Sequence, residues 1–455
     1  MIAPRREVLE GWARSNHARS WVYRPRSVEE AARALEDAAE RDLTVVHRGS
    51  GLSYGDAALN QGGAVVDTTA LHRVVTLDAE RGRIRVEAGA TVEDVWRAVL
   101  PHGWWPCVVP GSMQATVGGC VAMDVHGKNH PQRGSFGEQV EAVTLLEPSG
   151  STVTLDAHRH GARLARVVGA QGLTGTILDV TLRLDRVHSG YLEIESLSTP
   201  TLEATLLALD ARGQSSDYAV GWVDCLAPAR ARGRGLLHFA RYVPQDHSLS
   251  GRGLTLAAQR LPSRILGVLP RVHAWRALRP FVHEPGMRLV NAGRYWSGRT
   301  RQRHRYVQSH AAFHFLLDHV PGWRRVYGAH GFIQYQLFVP EDSALYALGE
   351  ALRLMREARV PAYLGVLKRH RAGRFAAPYA LDGYSLALDL PVRLSRLAGL
   401  QALCRSYDAL LLEVGGRVYA AKDSVSAGTL PEARHPLFSS NLVRRWERSG
   451  ARPHA

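Results

Sequence analysis

Hydrophobic residues recur along the chain at two spacings, and each spacing predicts a different type of element. Ser27 and Glu30 form a capping-box pattern, and apolar residues follow at helical spacing as far as Ala39, which predicts the first helix. Thr91 begins a second helix in TVEDVWRAVL, whose apolar residues share one face. The runs between these helices, TVVHRGSG, GGAVVDTT and RIRVEAGA, are β-rich and broken by glycine, so they predict short strands.

From about Tyr191 the pattern changes to longer alternating strands and longer helices. In GFIQYQLFVP, Gln334 and Gln336 share one strand face, between two phenylalanines, while the other face is apolar. YSLALDLPV alternates in the same way, and LAGLQALCRSYDALLLEV predicts a long helix that stops at Gly415. This mixture of elements predicts an α+β fold.

Two glycine-rich stretches carry the first indication of function. Residues 108–130, VVPGSMQATVGGCVAMDVHGKNH, show few features of a helix or a strand, and such tight backbone suits close approach to a ligand. The loop HRGSGLSYGD contains Gly49, Gly51 and Gly55. A dinucleotide fingerprint would place its third glycine one residue earlier and continue into a helix, whereas a strand follows here. The Rossmann interpretation therefore fails, but the loop can still cradle phosphate through its backbone N–H groups.

The length and the cysteines narrow the class of protein. A chain of 455 residues exceeds what one hydrophobic core usually serves, so we expect two domains. No stretch approaches the ~20 apolar residues of a membrane helix, and MIAPRREVLEGW lacks the apolar segment of a secretion signal, so we expect a cytoplasmic protein. The four cysteines have no CxxC pairing and are expected to be reduced, mostly buried thiols that bind no metal: Cys107, Cys120, Cys225 and Cys404.

The composition of the positive charge nominates three residues. The formal net charge is +15, and of the 57 basic residues only Lys128, Lys368 and Lys422 are lysines. Where arginine supplies nearly all the charge, a retained lysine indicates a task that arginine cannot perform, because an ammonium group can lose its proton when it is desolvated. We therefore treat each lysine as a candidate site residue.

The charge is also unevenly distributed. Residues 260–305 hold eleven arginines and one acidic residue, Glu284, so this segment carries +10 of the net charge. A nucleic-acid-binding protein would account for such a segment, but not for the ordered glycine loops or the three lysines.

The order of several motifs resembles a known flavoprotein superfamily. RGSGLSYGD, VVPGSMQATVGG, HGKNH and GAQGLTGTI together resemble the FAD-binding domain of the vanillyl-alcohol oxidase and p-cresol methylhydroxylase superfamily. Through GFIQYQLFVP, VLKRH, GGRVYAAKDS and PLFSSNLVRR the chain is similar to the decaprenylphosphoryl-ribose 2-oxidase family, the flavin half of ribose-to-arabinose epimerases. The resemblance covers nearly the whole chain and is weakest between about 190 and 330. It implies a PCMH-type FAD-binding domain in two parts, 1–188 and 414–455, with an antiparallel-sheet substrate domain inserted at 189–413.

The resemblance also implies which residues hold FAD. Gly49 to Ser53 would wrap the pyrophosphate, His126 would lie beside the flavin ring, and Gly172 would lie on the adenine side. Many superfamily members attach FAD through a histidine at the position of Leu52, so the leucine predicts non-covalent FAD. The cofactor-binding residues implied in this way are Arg48, Gly49, Ser50, Gly51, Leu52, Ser53, Tyr54, Pro110, Gly111, Ser112, Thr116, Gly118, Gly119, His126, Lys128, Asn129, Gly172, Thr174, Gly175, Ile177 and Tyr419.

The catalytic residues implied by the resemblance include two of the three lysines. Lys422 and Gln336 would lie beside the substrate hydroxyl and the flavin, while Lys368 and Gln334, together with Lys128, would bind the substrate and its phosphate. The implied reaction is oxidation of a sugar hydroxyl, such as the 2′-hydroxyl of polyprenylphosphoryl ribose, with a short-chain reductase partner completing an epimerisation. Our hypothesis is that Lys422 is the base, because a neutral amine can accept the hydroxyl proton.

Three departures from the family keep other functions open. Ala387 stands where the family has a cysteine, Gln171 replaces an asparagine, and the region near Trp222 matches poorly. The alternatives are an oxidase of a soluble aldonolactone or alditol, and a flavin-dependent alkene reductase driven by NADPH. Residues 260–305 are interpreted either as a basic, partly apolar cover that could touch an anionic membrane, or as a solvated insertion.

Overall fold

The structure is a computed structural model that describes residues 2–265, 269–300, 305–375, 379–423, 425–426 and 428–450. Parts of the predicted basic segment, residues 266–268 and 301–304, lie outside these ranges.

The elements alternate between short strands in the first part of the chain and longer strands and helices in the second. The strands are β1 (Arg5–Glu10), β2 (His17–Tyr23), β3 (Val45–Arg48), β4 (Ala64–Asp67), β5 (Val74–Asp78), β6 (Arg83–Glu87), β7 (Trp104–Pro106), β8 (Val140–Leu146), β9 (Thr152–Asp156), β10 (Thr176–Arg186), β11 (Tyr191–Thr199), β12 (Tyr218–Val223), β13 (Gly235–Tyr242), β14 (Arg264–Ile265), β15 (Leu269–Pro270), β16 (Arg305–Ser309), β17 (Phe332–Pro340), β18 (Gly365–His370), β19 (Gly383–Pro391) and β20 (Arg417–Val418). The helices are α1 (Val28–Glu40), α2 (Val92–Val99), α3 (Val117–Ala122), α4 (His130–Arg133), α5 (Gly161–Ala165), α6 (Leu202–Gly213), α7 (Ala274–Leu278), α8 (Glu284–Thr300), α9 (His310–His314), α10 (Ala344–Glu357), α11 (Leu397–Glu413) and α12 (Asn441–Arg448).

Two sheets occupy the first part of the chain. The first has the order β1-β2-β4-β3, in which β4 runs parallel to β2 and β3. The second has the antiparallel order β5-β6-β10-β8-β9, and β7 pairs with β10. The glycine loop connects β3 to β4, and its ends are therefore fixed by two adjacent parallel strands.

The second part of the chain builds one antiparallel sheet in the order β16-β11-β13-β12-β18-β19-β17-β20. One face of this sheet is apolar and packs against α6, α10 and α11, with Leu337, Leu367 and Leu386 fully buried between them. The alternate residues of β17, β18 and β19 point to the other face, which carries Gln336 and Lys368. The predicted α+β class with an antiparallel cap sheet is confirmed.

The end of the chain returns to the first sheet after contributing β20 to the large one. The Val45 N–H donates to the Leu437 carbonyl at 2.7 Å, and the Ser439 N–H donates to the Val45 carbonyl at 2.9 Å. The apolar face of α12 then packs into the core around α1, with Trp446 buried. The domain boundaries at 188/189 and 413/414 stay a prediction.

The structure departs from the sequence pattern of the helices in two places. The Ser27 hydroxyl accepts from the Glu30 N–H, but the Glu30 carboxylate accepts from the Arg26 N–H, so the predicted capping box is only half formed. The glycine-dense stretch contains α3, where we predicted no regular element. Gly118 permits this helix, because a Cβ there would lie 2.8 Å from the Ala88 Cβ.

No helix in the described ranges is long and apolar enough to cross a membrane.

Candidate active site

A cavity of about 550 Å³ lies between the glycine loops and the open face of the large sheet. Most of the residues predicted to bind cofactor or substrate line this cavity. They are Arg48, Gly49, Ser50, Gly51, Leu52, Ser53, Tyr54, Pro110, Gly111, Ser112, Thr116, Gly118, Gly119, His126, Lys128, Gly172, Gly175, Ile177, Gln334, Gln336, Lys368, Tyr419 and Lys422.

Two predicted residues, Asn129 and Thr174, are not among those that line the cavity. The Asn129 side chain is buried and donates through Nδ2 to the carbonyl of Cys107, the residue after β7, at 2.7 Å. It therefore binds this backbone group instead of facing the cavity. Thr174 is half-buried beside the cavity, and nothing in the structure gives it a contact there.

The glycine loop packs too tightly for side chains at two positions. A Cβ on Gly49 would lie 2.0 Å from Thr116 Oγ1 and 3.0 Å from Thr116 Cβ, so the backbone of the loop contacts the next glycine-rich stretch directly. Gly51 has φ +67, in the left-handed region, and the Arg48 guanidinium lies over it. This guanidinium donates to the carbonyls of Glu10 and Ala58, and these bonds hold the loop in shape.

The histidine nearest the loop is fully engaged by protein groups. His47 Nδ1 lies 3.1 Å from the Gly172 carbonyl, and Nε2 lies 2.7 Å from Thr176 Oγ1. Burial lowers the pKa of His47 to about 4. Neither nitrogen is therefore available as a nucleophile, and Leu52 provides none at the usual attachment position.

Lys422 reaches the cavity on a loop that is bonded to the glycine loop. The Tyr54 N–H donates to the Ala421 carbonyl at 2.8 Å, and Lys422 Nζ lies 5.0 Å from the centroid of the Tyr54 ring. Burial lowers the pKa of Lys422 to about 8, although the Asp389 carboxylate opposes this fall. Among the described residues, no group forms a hydrogen bond with Lys422 Nζ, which lines the cavity.

His126 connects a second lysine to the strand face that bears the two glutamines. Its Nδ1 lies 3.2 Å from Lys368 Nζ, and its Nε2 lies 3.1 Å from the Gln336 amide nitrogen. Because the amide nitrogen donates, Nε2 accepts, and the single ring proton lies on Nδ1 facing Lys368. This arrangement requires an uncharged Lys368. Burial and the charges of Lys422 and Lys128 hold the pKa of Lys368 well below its usual range, and this lowered pKa favours the uncharged amine.

Gln336 and Gln334 are each held by a partner on β19. Gln336 Nε2 donates to Ser385 Oγ at 3.0 Å, and Gln334 Nε2 donates to the Asp389 carboxylate. Burial raises the pKa of Asp389 to about 6, against the effects of Gln334 and of Lys422.

The third lysine lies at another end of the cavity, with residues that the sequence did not single out. Lys128 Nζ donates to the carbonyls of Phe313 and His314, and burial lowers the pKa of Lys128 to about 7. Arg294 lies here too, its guanidinium 4.8 Å from the Trp222 ring centroid. Arg294 is one of the eleven arginines of residues 260–305, and no short motif in the sequence distinguishes it from the others.

Residues from the segment 316–323 line the cavity beside the glycine-rich stretch at Gly111. Whether residues 260–305 are a cover or a solvated insertion stays a prediction. Leu317 contacts the Gly111 backbone, and the Asp318 carboxylate accepts from Ser112 Oγ at 2.9 Å and from the Met113 N–H at 2.8 Å. Of the basic segment, Arg294 lines the cavity. An isolated aspartate in a stretch without a motif gave no sequence signal for this role.

Ala387 faces the cavity directly opposite Gln336, where the family carries a cysteine. Cys120 also lines the cavity, but burial raises the pKa of its thiol, so it is a poor nucleophile.

The cavity fits FAD on three counts. Gly49, Gly51, Gly118 and Gly119 line the cavity, and glycine backbone suits the binding of a phosphate group. Three buried amide oxygens that line the cavity, those of Gln171, Gln334 and Gln336, have no hydrogen-bond partner in the described protein. Apolar side chains that include Leu52, Val125 and Ile177 complete the wall. These features define an FAD-dependent oxidoreductase.

Comparison with known proteins agrees with this class. Residues 20–156 match a family model described as an FAD binding domain. The chain is 30% identical to decaprenylphosphoryl-beta-D-ribose oxidase of Mycolicibacterium smegmatis, over 96% of each chain. It is 28% identical to L-gulonolactone oxidase of Bos taurus, over 46% of this chain and 47% of that one. The protein belongs to the FAD-linked oxidoreductase family of decaprenylphosphoryl-beta-D-ribose oxidase, and the resemblance drawn from its motifs is confirmed.

Replacing Gly49 by alanine is expected to weaken FAD binding about tenfold or more, because the new methyl group would displace Thr116 and the loop. FAD content after purification and titration of the apoprotein with FAD measure this. The matched control is Gly161→Ala, where a Cβ would meet nothing within 4 Å. Equal FAD affinity in the two variants would contradict the proposed pyrophosphate cradle.

Acid precipitation is expected to release all the flavin into the supernatant, because Leu52 offers no attachment point and His47 is engaged by Gly172 and Thr176. Absorbance of the supernatant and of the redissolved pellet is the measurement. A yellow pellet would show a covalent bond at another residue.

Proposed function

We propose that this protein oxidises a secondary hydroxyl of a lipid-linked sugar phosphate, the 2′-hydroxyl of a polyprenylphosphoryl ribose, to the ketone. A short-chain reductase acting on the ketone from the opposite face would complete an epimerisation. FAD is bound non-covalently and, when bound, accepts the hydride that leaves the carbinol carbon.

The observation that carries this proposal is the convergence of Lys128, Lys368 and Lys422 on one cavity. They are the only lysines in the chain. A phosphorylated substrate supplies the negative charge that such a set of cations favours, and a neutral amine supplies the base that alcohol oxidation needs. The similarity to a decaprenylphosphoryl-ribose oxidase over 96% of the chain supports the same substrate class.

Lys422 is the proposed base. Its Nζ lines the cavity, and a pKa lowered to about 8 gives it a neutral form that takes the hydroxyl proton at mildly alkaline pH. Loss of that proton raises the electron density on oxygen and drives the hydride from carbon, so two electrons leave as the C=O bond forms. Lys422 ends the step as an ammonium ion, which the nearby Asp389 carboxylate stabilises.

The proposed roles of the other residues follow from their partners. Ser385 and His126 fix the Gln336 amide, which leaves its oxygen free to accept from a substrate hydroxyl. Asp389 fixes Gln334 in the same manner. Lys368 lies between His126 and the cavity, where it would contact the sugar or its phosphate.

The end of the cavity near Lys128 and Arg294 suits the phosphate of the substrate. Both cations act on His238, since burial and the charges of Arg294 and Lys128 lower the pKa of His238 to about 4. Outside this end, α8 and its neighbours expose Leu289, Trp296 and Phe281 among the arginines. A polyprenyl chain leaving the cavity, or an anionic membrane that holds it, would cover these side chains.

Anaerobic absorbance spectra of the purified holoenzyme test the substrate. Addition of a polyprenylphosphoryl ribose is expected to bleach the flavin band, whereas ribose 5-phosphate is expected to bleach it far more slowly because it lacks the apolar chain. Bleaching by an aldonolactone or an alditol, with none by the lipid-linked ribose, would replace this proposal with the alternative that the similarity to L-gulonolactone oxidase favours. Bleaching by NADPH would instead identify an alkene reductase.

Lys422→Ala is expected to retain FAD and to slow flavin reduction about 10²- to 10⁴-fold, the usual contribution of a general base. In the wild-type enzyme the reduction rate is expected to rise with pH through the pKa of Lys422, about 8, because only the neutral amine accepts a proton. Stopped-flow reduction at a series of pH values measures both.

Lys422→Arg is the matched control, since arginine keeps the positive charge but cannot become neutral. It is expected to be as slow as the alanine variant. A fast Lys422→Arg enzyme would show that the residue acts as a cation and not as a base.

A further inference from the structure

A second cavity, of about 680 Å³, lies on the other side of α8 from the active site. Arg288 and Ala292, four residues apart on one face of this helix, line the second cavity, whereas Arg294 lines the first. The remaining wall comes from the segment after β12 and from the end of α10. We call this second site the arginine cavity.

The arginine cavity carries an excess of positive charge. It is lined by Arg234, Arg288, Arg356, Arg359 and Arg396 and by two acidic residues, which leaves a net charge of +3. Both acids are already paired: Asp224 with Arg234 at 2.8 Å, and Glu284 with Arg288 at 2.7 Å.

Three guanidinium groups therefore remain for a ligand. Within the described ranges, no carboxylate forms an ion pair with Arg356, Arg359 or Arg396. An adjoining hollow of about 190 Å³ shares Arg396 with the arginine cavity and adds Arg393, so the positive surface continues beyond it.

Local contacts hold these arginines in position. Arg396 Nη1 donates to the Arg359 carbonyl at 2.8 Å, and Arg356 donates to the Ala227 carbonyl. Arg359 itself has φ +53, a left-handed conformation that follows α10 and that glycine or asparagine usually adopts. The chain thus places an arginine at the cavity where a glycine would relieve strain.

The rest of the wall is apolar and includes Met355, Val360 and Leu226. A bare phosphate ion would occupy only a small part of about 680 Å³, a volume within the range of organic ligand sites. Arginine forks bind phosphate oxygens in pairs, which favours phosphate esters over single carboxylates.

We propose that the arginine cavity binds a phosphorylated small molecule, with its phosphate between Arg356, Arg359 and Arg396 and its organic part against Met355 and Val360. This site shares no lining residue with the active-site cavity, and it does not depend on the identity of the oxidised substrate. Its contacts with Glu284, Arg288 and Ala292 would couple its occupancy to α8, the helix that also brings Arg294 to the active site.

Isothermal titration of the FAD-loaded holoenzyme with pyrophosphate and with uridine diphosphate tests the proposal, at about 0.15 M salt to screen non-specific attraction. We expect one site, with tighter binding of uridine diphosphate because of its organic part. Arg356→Ala/Arg359→Ala is expected to weaken binding about tenfold or more. Flavin reduction by substrate should survive in this variant, which separates the site from the oxidase activity.

Arg33→Ala/Arg97→Ala is the matched control, because it removes two exposed arginines from α1 and α2 with the same change in net charge. Equal weakening in both double variants overturns the proposal, and so does a wild type that binds neither anion and shows no vesicle binding that depends on Arg356 and Arg359.

Flotation with phosphatidylglycerol vesicles, using phosphatidylcholine vesicles as the reference, distinguishes a lipid headgroup from a free phosphate ester. Vesicle binding that is lost in Arg356→Ala/Arg359→Ala supports the site with a lipid as its source of phosphate. Vesicle binding that survives in Arg356→Ala/Arg359→Ala, with no titration signal for either anion, overturns the proposal.

Discussion

Three lysine side chains share one buried cavity, and the cost of charging them away from water organises the site. Burial is the first cause of the lowered pKa at Lys128, Lys368 and Lys422, and the charges of the other two lysines lower that of Lys368 further. The protein meets this cost with carbonyls at Lys128, with the His126 ring at Lys368 and with the Asp389 carboxylate near Lys422. A cavity in this state favours anions and strips protons from acids that enter it. Both properties suit a diphosphate cofactor and an alcohol substrate.

Much of the site could be predicted because its components are local in sequence. Glycine is required at 49 and 118 because a Cβ there would collide with Thr116 or with Ala88. The alternation around Gln334 and Gln336 puts both glutamines on one strand face. The lysines were visible from composition alone. Asn129 belongs to the same short motif as Lys128, yet it does not line the cavity, because its side chain donates to a carbonyl 22 residues earlier in the chain. A motif gives the positions of residues along the backbone, but the direction of each side chain depends on its contacts with segments that are distant in the sequence.

The features that sequence could not reveal are those built by distant segments with no pattern of their own. Asp318 acts through two hydrogen bonds to the Ser112 region, more than two hundred residues away in the chain. The arginine cavity requires the segment after β12, the helix α8 and the end of α10 to meet, and its arginines look like ordinary surface charge in the sequence. The half-formed box at Ser27 has a local origin instead, because the Glu30 carboxylate accepts from the Arg26 N–H.

The return of the chain end to the first sheet has a consequence for the order in which the molecule acquires its properties. The cofactor loops are complete by Ile177, whereas Lys422 arrives about 250 residues later, on a loop that depends on β20 and on contacts between Val45 and the segment at Leu437. A nascent chain can therefore assemble much of its flavin cradle long before it has its proposed base. On the proposed role of Lys422, an incompletely made chain that has captured flavin would still lack the base for turnover.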